Sequence, residues 1–181
     1  MQDKLCRAPT IVLSRSTAAL ASNRGISRPW VTVVGVAMTP DLKPGLRHLQ
    51  TLRVDDTLTV PAMTPAFAGF GDMPPVFATA FMVGFIEWAC IEALRPFLSS
   101  HERTVGTHVD VSHIAATPVG MTVTADVELV AVEGRKLRFK VSCRDEGGLI
   151  GEGFHERAVI DHDKFMARVL AKSRQTGSSP Q

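Results

Sequence analysis

The segment Val76-Phe77-Ala78-Thr79-Ala80-Phe81-Met82-Val83-Gly84-Phe85-Ile86-Glu87-Trp88-Ala89-Cys90-Ile91-Glu92-Ala93-Leu94-Arg95-Pro96-Phe97-Leu98 decides the fold. Between Val76 and Ile91 its only residues outside the apolar set are Thr79, Gly84 and Glu87, which predicts a buried helix. Pro96 ends that helix near Arg95, because proline lacks a backbone donor and disfavours helical geometry in the residue before it. Glu87, Glu92 and Arg95 within so short a stretch exclude a membrane span.

Glu87 is the anomaly of this helix. Its neighbours at helical spacing are Val83, Gly84, Cys90 and Ile91, none of which can pair a charge. A buried, unpaired carboxylate is costly, so Glu87 must be neutralised, meet a partner from another element, or face a solvated site. It is therefore either a functional carboxylate or a structural one that caps a buried donor. Gly84, one turn before it, costs about 1 kcal/mol against alanine in mid-helix and marks a close approach of backbone or ligand. Thr79 precedes Glu87 by eight residues, a rise of about 12 Å along a straight helix and too far for a direct hydrogen bond. Thr79 then either stands at the helix start with the chain bent back or meets the Glu87 of a second subunit.

Outward from the helix the texture becomes that of strands. Leu46 to Val60 reads as one or two short strand segments around Asp55-Asp56, and Pro61 to Pro75 as a loop rich in Pro, Gly and Met. That loop carries Phe67, Phe70 and Met73, and reads either as a lid over an apolar ligand or as a plain connector. After the helix, Arg103 to Ile114 places Val105, Thr107, Val109, Val111 and His113 on one face by period two. Thr122 to Val132 turns Val123, Ala125, Val127, Leu129 and Ala131 inward, and Leu137, Phe139, Val141 and Cys143 form the next inner row. Leu149 to Ile160 aligns His155, Arg157 and Val159, with turns at Glu133 to Lys136 and Asp145 to Gly148. The expected architecture is α+β, an antiparallel five-stranded sheet wrapped around one long central helix. Such a sheet has an edge and an outer face to protect, for which a homodimer is a natural solution.

The chain of 181 residues, 45% apolar and 21% charged, suits one domain with a tail. Residues 1–40 hold five basic side chains and one acid, which leaves 15 basic against 17 acidic in residues 41–181. The body is slightly acidic, so neither nucleic acid nor a membrane is an expected partner. Residues 1–42 read as an N-terminal extension, disordered in preference to a transit peptide; 43–162 as the domain; and 163–181 as a short basic helix and tail. Cys6, Cys90 and Cys143 are too scattered for a disulfide framework or a zinc cluster. Buried packing explains Cys90 and Cys143, and a reduced, cytoplasmic setting is expected. Strand alternation sets His113 opposite His108 and Asp110, which argues against a metal site. No P-loop, dinucleotide fingerprint or Gly-x-Ser-x-Gly elbow is present, and no cofactor is expected.

The order of strand, long helix and four strands resembles the hot-dog fold of acyl-CoA thioesterases and dehydratases. Val76-Phe77-Ala78-Thr79, Phe81-Met82-Val83-Gly84, Glu87-Trp88-Ala89-Cys90, His113-Ile114-Ala115-Ala116-Thr117-Pro118, Val132-Glu133-Gly134-Arg135 and His155-Glu156-Arg157-Ala158-Val159-Ile160 are similar to the fluoroacetyl-CoA thioesterase family. The similarity runs from about Gly45 to Lys172. It implies hydrolysis of a small acyl-CoA by a catalytic trio of Thr79, Glu87 and His113. It also implies a backbone donor at Gly106 near the thioester oxygen, a role for Arg157 in holding the acyl-CoA, and active sites at a dimer interface. The family's lid has two phenylalanines followed directly by Pro-Glu-Val. Here Gly71-Asp72-Met73 separates Phe70 from Pro74-Pro75-Val76, so the loop is about three residues longer and Met73 takes one gate position beside Phe70. Fluoroacetyl specificity is accordingly not carried over. An enoyl-CoA hydratase or dehydratase and a non-catalytic acyl-CoA-binding protein are the alternatives that the fold leaves open.

Overall fold

A computed structural model of the chain describes residues 41–176. The expectation for the extension falls almost wholly outside this range. Leu42, the last residue assigned to the extension, is buried and belongs to the core.

Five strands, β1 (Arg47–Arg53), β2 (Glu102–Val111), β3 (Thr122–Glu133), β4 (Lys136–Asp145) and β5 (Gly148–Asp161), form one antiparallel sheet in the order β1-β3-β4-β5-β2. Helix α1 (Thr79–Leu94) lies across it, and α2 (His162–Thr176) follows β5. The α+β expectation holds. α1 buries Met82, Phe85, Ile86, Ala89, Cys90, Ala93 and Leu94 against the inner rows of β3 and β4. Those rows are Val123, Ala125, Val127 and Leu129, then Leu137, Phe139, Val141 and Cys143, all buried as the alternation predicts. Cys90 and Cys143 are free thiols, and burial pushes both up to about 12. They pack as small apolar groups.

Three expectations are corrected. The helix is shorter than its apolar segment, because Val76 to Ala78 run extended. Their backbone is bonded by Val60 N–H to Val76 O (3.0 Å), Phe77 N–H to Thr117 O (2.9 Å) and Ala78 N–H to Leu58 O (3.0 Å), which fixes where the first helical turn begins. At the other end Pro96 sits in a 3-10 turn, Arg95–Phe97, as its chemistry requires. Of the one or two strand segments read between Leu46 and Val60 one forms, and the rest of that stretch holds a 3-10 turn, Asp56–Leu58, whose start is capped by Asp55 accepting from Thr57 N–H at 2.9 Å. In β3 a bulge between Leu129 and Ala131 places Val132 opposite Leu137, so Val132 packs on the core and Ala131 does not continue the inner row.

The third correction concerns the site. β2 bulges between Gly106 and His108, which breaks the alternation from Val105 to His113, and the strand ends at Val111. His113 is therefore a loop residue. It stays registered on the sheet because Ser112 N–H bonds Glu152 O (2.9 Å) and Ile114 N–H bonds Ile150 O (2.7 Å). β2 is an edge of the sheet, with Val109 42% exposed. On α1 the side away from the sheet shows Ala80, Gly84 and Trp88 to solvent. Among the described residues nothing lies within 4 Å of a side-chain carbon built at Gly84, so none of them makes the close approach expected there.

Candidate active site

The first helical residue of α1 presents a hydroxyl to the loop after β2. Thr79 Oγ1 lies 2.8 Å from His113 Nδ1, and the edge of Phe77 packs on the imidazole at 6.5 Å between ring centres. His113 Nε2 is buried and has no hydrogen-bond partner within the described residues. Burial pushes this imidazole below its ordinary value, partly opposed by the Ala115 backbone, so the ring is neutral near pH 7 and able to accept a proton. A cavity of about 290 Å³ opens on this pair, lined by Val60, Val76, Thr79 and His113 among others.

Two turns further along α1, Glu87 is half-buried over the sheet. Its Oε2 lies 3.4 Å from Nη1 of Arg157, which is 2% exposed on the inner face of β5. Arg157 is the partner that the helix could not supply. It is held in turn by Thr104 of β2, with Nε donating to Thr104 Oγ1 (3.0 Å) and Nη2 to Thr104 O (3.1 Å). Nη1 also contacts His155 Nε2 at 3.0 Å. The resemblance implies that Arg157 holds substrate. In the chain its nitrogens face inward, and its reach toward a ligand runs through Glu87.

Gly106 lies directly against the carboxylate. A side-chain carbon built there would stand 2.6 Å from Glu87 Oε1 and 3.2 Å from His155 Cε1, so glycine is what lets the edge strand pass so close. Phe70 and Met73 sit in the loop before α1. Phe70 packs edge-on against Phe67 at 5.9 Å, Met73 is exposed, and neither lines the Thr79–His113 cavity.

The five expected polar and backbone positions thus separate into two half-sites on one chain. Thr79 and His113 form the first. Glu87, Arg157 and Gly106 form the second, about 12 Å along the helix. A larger cavity of about 440 Å³ lies at the far end of α1, between Ile91, Arg95 and Glu102, and holds none of the expected catalytic trio. Among the described residues no group of three or more His, Cys, Asp or Glu side chains is placed to hold a metal ion.

The family described as fluoroacetyl-CoA-specific thioesterase matches residues 59–163, a span that contains both half-sites. The fluoroacetyl-CoA thioesterase of Streptantibioticus cattleyicolor is 45% identical over 136 residues, 75% of this chain and 98% of that protein. The chain belongs to the fluoroacetyl-CoA-specific thioesterase family. A solved structure of a mutant of the thioesterase FlK in complex with fluoroacetate and CoA superposes with a TM-score of 0.67. It is 46% identical and covers 68% of this chain and 99% of its own. A hot-dog-like protein from Thermanaerovibrio acidaminovorans shares the fold at a TM-score of 0.61, with 22% identity, 71% of this chain and 91% of its own. The hot-dog fold and the thioester hydrolase class expected from the motifs both hold.

Two residues of this family member's site escape a reading by segments. His155 and Thr104 brace Arg157 from different strands, and only tertiary pairing joins them to Glu87. One signal was available: His155 and Arg157 alternate on an inner row that is otherwise apolar, and such a row needs a polar group opposite.

Proposed function

We propose that the protein hydrolyses a small acyl-CoA thioester to the free acid and CoA at sites shared by two copies of the chain. Each site joins Thr79 and His113 of one copy to Glu87, Gly106 and Arg157 of the other. The observation that carries this reading is the separation of the trio. Thr79 and His113 touch, Glu87 lies about 12 Å away on the same helix, and His113 Nε2 is buried without a partner among the described residues. The unpaired edge β2 and the open Ala80, Gly84 and Trp88 face of α1 support a second copy approaching there. No helix among the described residues is long and apolar enough to cross a membrane, and the free, buried thiols support a reducing, cytoplasmic setting.

In this reading attack on the thioester carbon forms a C–O bond and moves an electron pair onto the carbonyl oxygen. The Gly106 N–H donates to that oxygen, where negative charge develops. Collapse breaks the C–S bond; where water is the nucleophile, His113 takes its proton and passes it to the departing CoA, and where Glu87 attacks, CoA leaves as the thiolate and His113 takes the proton from the water that later opens the anhydride. Thr79 keeps the imidazole oriented through its 2.8 Å contact. Glu87 either attacks first, giving a mixed anhydride that water opens, or directs the water itself. Phe70 and Met73 do not line the cavity at Thr79 and His113, and with the loop before α1 about three residues longer than in the family, the reading is not restricted to a fluorinated acyl group.

The test is thioester cleavage across a panel of acyl-CoA chain lengths and α-substituents, followed by subunit mixing. Glu87→Gln and His113→Ala chains, each inactive alone, regain activity when unfolded and refolded together, because one site of the mixed dimer is intact. Absence of cleavage on every thioester overturns the hydrolase reading, and hydration of enoyl-CoA alone would replace it. Mixed chains that stay inactive overturn the shared site. Single turnover in heavy-oxygen water bears on the two roles of Glu87, since label in its side chain requires an anhydride opened at the Glu87 carbonyl, which water merely directed by Glu87 cannot give.

A further inference from the structure

His155 is the one fully buried histidine of the sheet, and its two ring nitrogens face partners of opposite character. Nδ1 lies 2.8 Å from the carbonyl oxygen of His108, which can only accept. Nε2 lies 3.0 Å from Arg157 Nη1, which can only donate. A single form satisfies both: neutral imidazole with its proton on Nδ1 and its lone pair on Nε2 directed at the guanidinium. The 3.9 Å separation of Nε2 from Glu87 Oε1 is therefore not an ion pair, since no proton lies between the two atoms.

We propose that His155 is a positioning residue that fixes Arg157 so as to leave one oxygen of Glu87 free to react. This rests on the reading of Glu87 as the reacting carboxylate. Arg157 Nη1 has two hydrogens, and the structure gives it two neighbours, His155 Nε2 at 3.0 Å and Glu87 Oε2 at 3.4 Å. With Nε and Nη2 tied to Thr104, the bond to His155 sets the remaining rotation of the guanidinium. The cation then meets Glu87 through a single nitrogen rather than the two-pronged clamp that an unrestrained arginine makes with a carboxylate. Oε1 is left against Gly106, where the thioester oxygen is bound in the reading above.

A neutral acceptor is the chemistry this position needs. A carboxylate in place of His155 would draw Arg157 away and put a second negative charge beside Glu87. A protonated His155 would set its one Nε2–H and a positive charge against the Arg157 guanidinium, and that N–H could turn only to Oε1, capturing the free oxygen. The ring is kept from protonating by its burial first, with Arg157 adding to the effect. The His108 carbonyl, Glu87 from α1 and Glu156 from β5 act in the opposite sense.

Two measurements test this. Nitrogen-correlated NMR of the imidazole rings in the full-length enzyme is expected to show His155 as the neutral Nδ1–H form throughout the pH range of activity. A proton on Nε2, or a titration of this ring inside that range, overturns the proposal without reference to turnover. In kinetics, His155→Phe is expected to lower kcat about 10²-fold, the scale of a misplacement of about 1 Å, with KM little changed. His155→Gln, whose amide offers both an acceptor and a donor, recovers most of that loss. Wild-type kcat in a folded His155→Phe enzyme overturns the proposal, and so does a loss that appears in KM alone. If His155→Phe fails to fold, the NMR result decides. Glu87→Gln separates the underlying reading: full activity in that variant removes Glu87 from the chemistry whatever His155 does. An inactive Glu87→Gln beside an unaffected His155→Phe removes only the role of His155.

Discussion

Replacing Gly106 by alanine adds one carbon at the most crowded point of the candidate site. That carbon would stand 2.6 Å from Glu87 Oε1, 3.3 Å from Glu87 Cδ and 3.2 Å from His155 Cε1. Ordinary contact begins at 3.4 Å, so Oε1 must retreat by roughly 0.8 Å. The imidazole closes one direction of retreat and Arg157 holds Oε2, so the carboxylate turns away from the position set for attack. A displacement near 1 Å costs about 10²-fold in rate, or about 2.7 kcal/mol in the barrier. Stability is expected to change little. The clash from this edge strand is chiefly with the end of the partly exposed Glu87 side chain of α1, and alanine loses less backbone entropy than glycine on folding, which offsets it by about 0.4–1 kcal/mol. The assay is free-thiol release from acyl-CoA beside a thermal melt of the same preparation. Gly106→Ala with kcat within about threefold of wild type and an unchanged melt would refute the reasoning, because Glu87 would then not need the place where the structure puts it.

Thr79→Val keeps the shape of the side chain and removes the hydroxyl bonded to His113, and is expected to lower kcat by about 10²-fold while Thr79→Ser stays close to wild type. The pH profile of kcat/KM is expected to keep its acid limb below the ordinary imidazole value of 6.5, because burial holds His113 low; an acid limb above 6.5 removes His113 as the base. Stability follows the same sign: His113 and His155 bind protons less readily folded than unfolded, so the melting temperature falls as pH drops below about 6.5 and is flat above it. Arg135→Met leaves the buried Glu102 carboxylate with Ser99 alone, and is expected to cost roughly 1–3 kcal/mol in denaturant unfolding with kcat unchanged.

What could be read in advance was whatever depends on local period. The inner rows of β3 and β4 follow from strict alternation, the end of α1 from Pro96, and the singularity of Glu87 from its apolar neighbours. What could not be read depends on pairing across the sheet. The bulge at Gly106 to His108 leaves no mark in composition, yet it takes His113 off the strand and brings Gly106 against the carboxylate. Arg157 becomes the counter-charge of Glu87 only because β5 passes beneath α1, some seventy residues later in the chain. The resemblance implies gate positions at Phe70 and Met73, and that neither lines the Thr79–His113 cavity had no local sign in the sequence.

The way Arg157 is secured bears on what happens after hydrolysis. Each of its three nitrogens already has a partner within the chain, and its side chain is closed to solvent. If the acid forms beside Glu87 as proposed, it is an anion, and Arg157 has no face left to offer it. In the reading proposed above, like charges then favour departure of the acid over its capture.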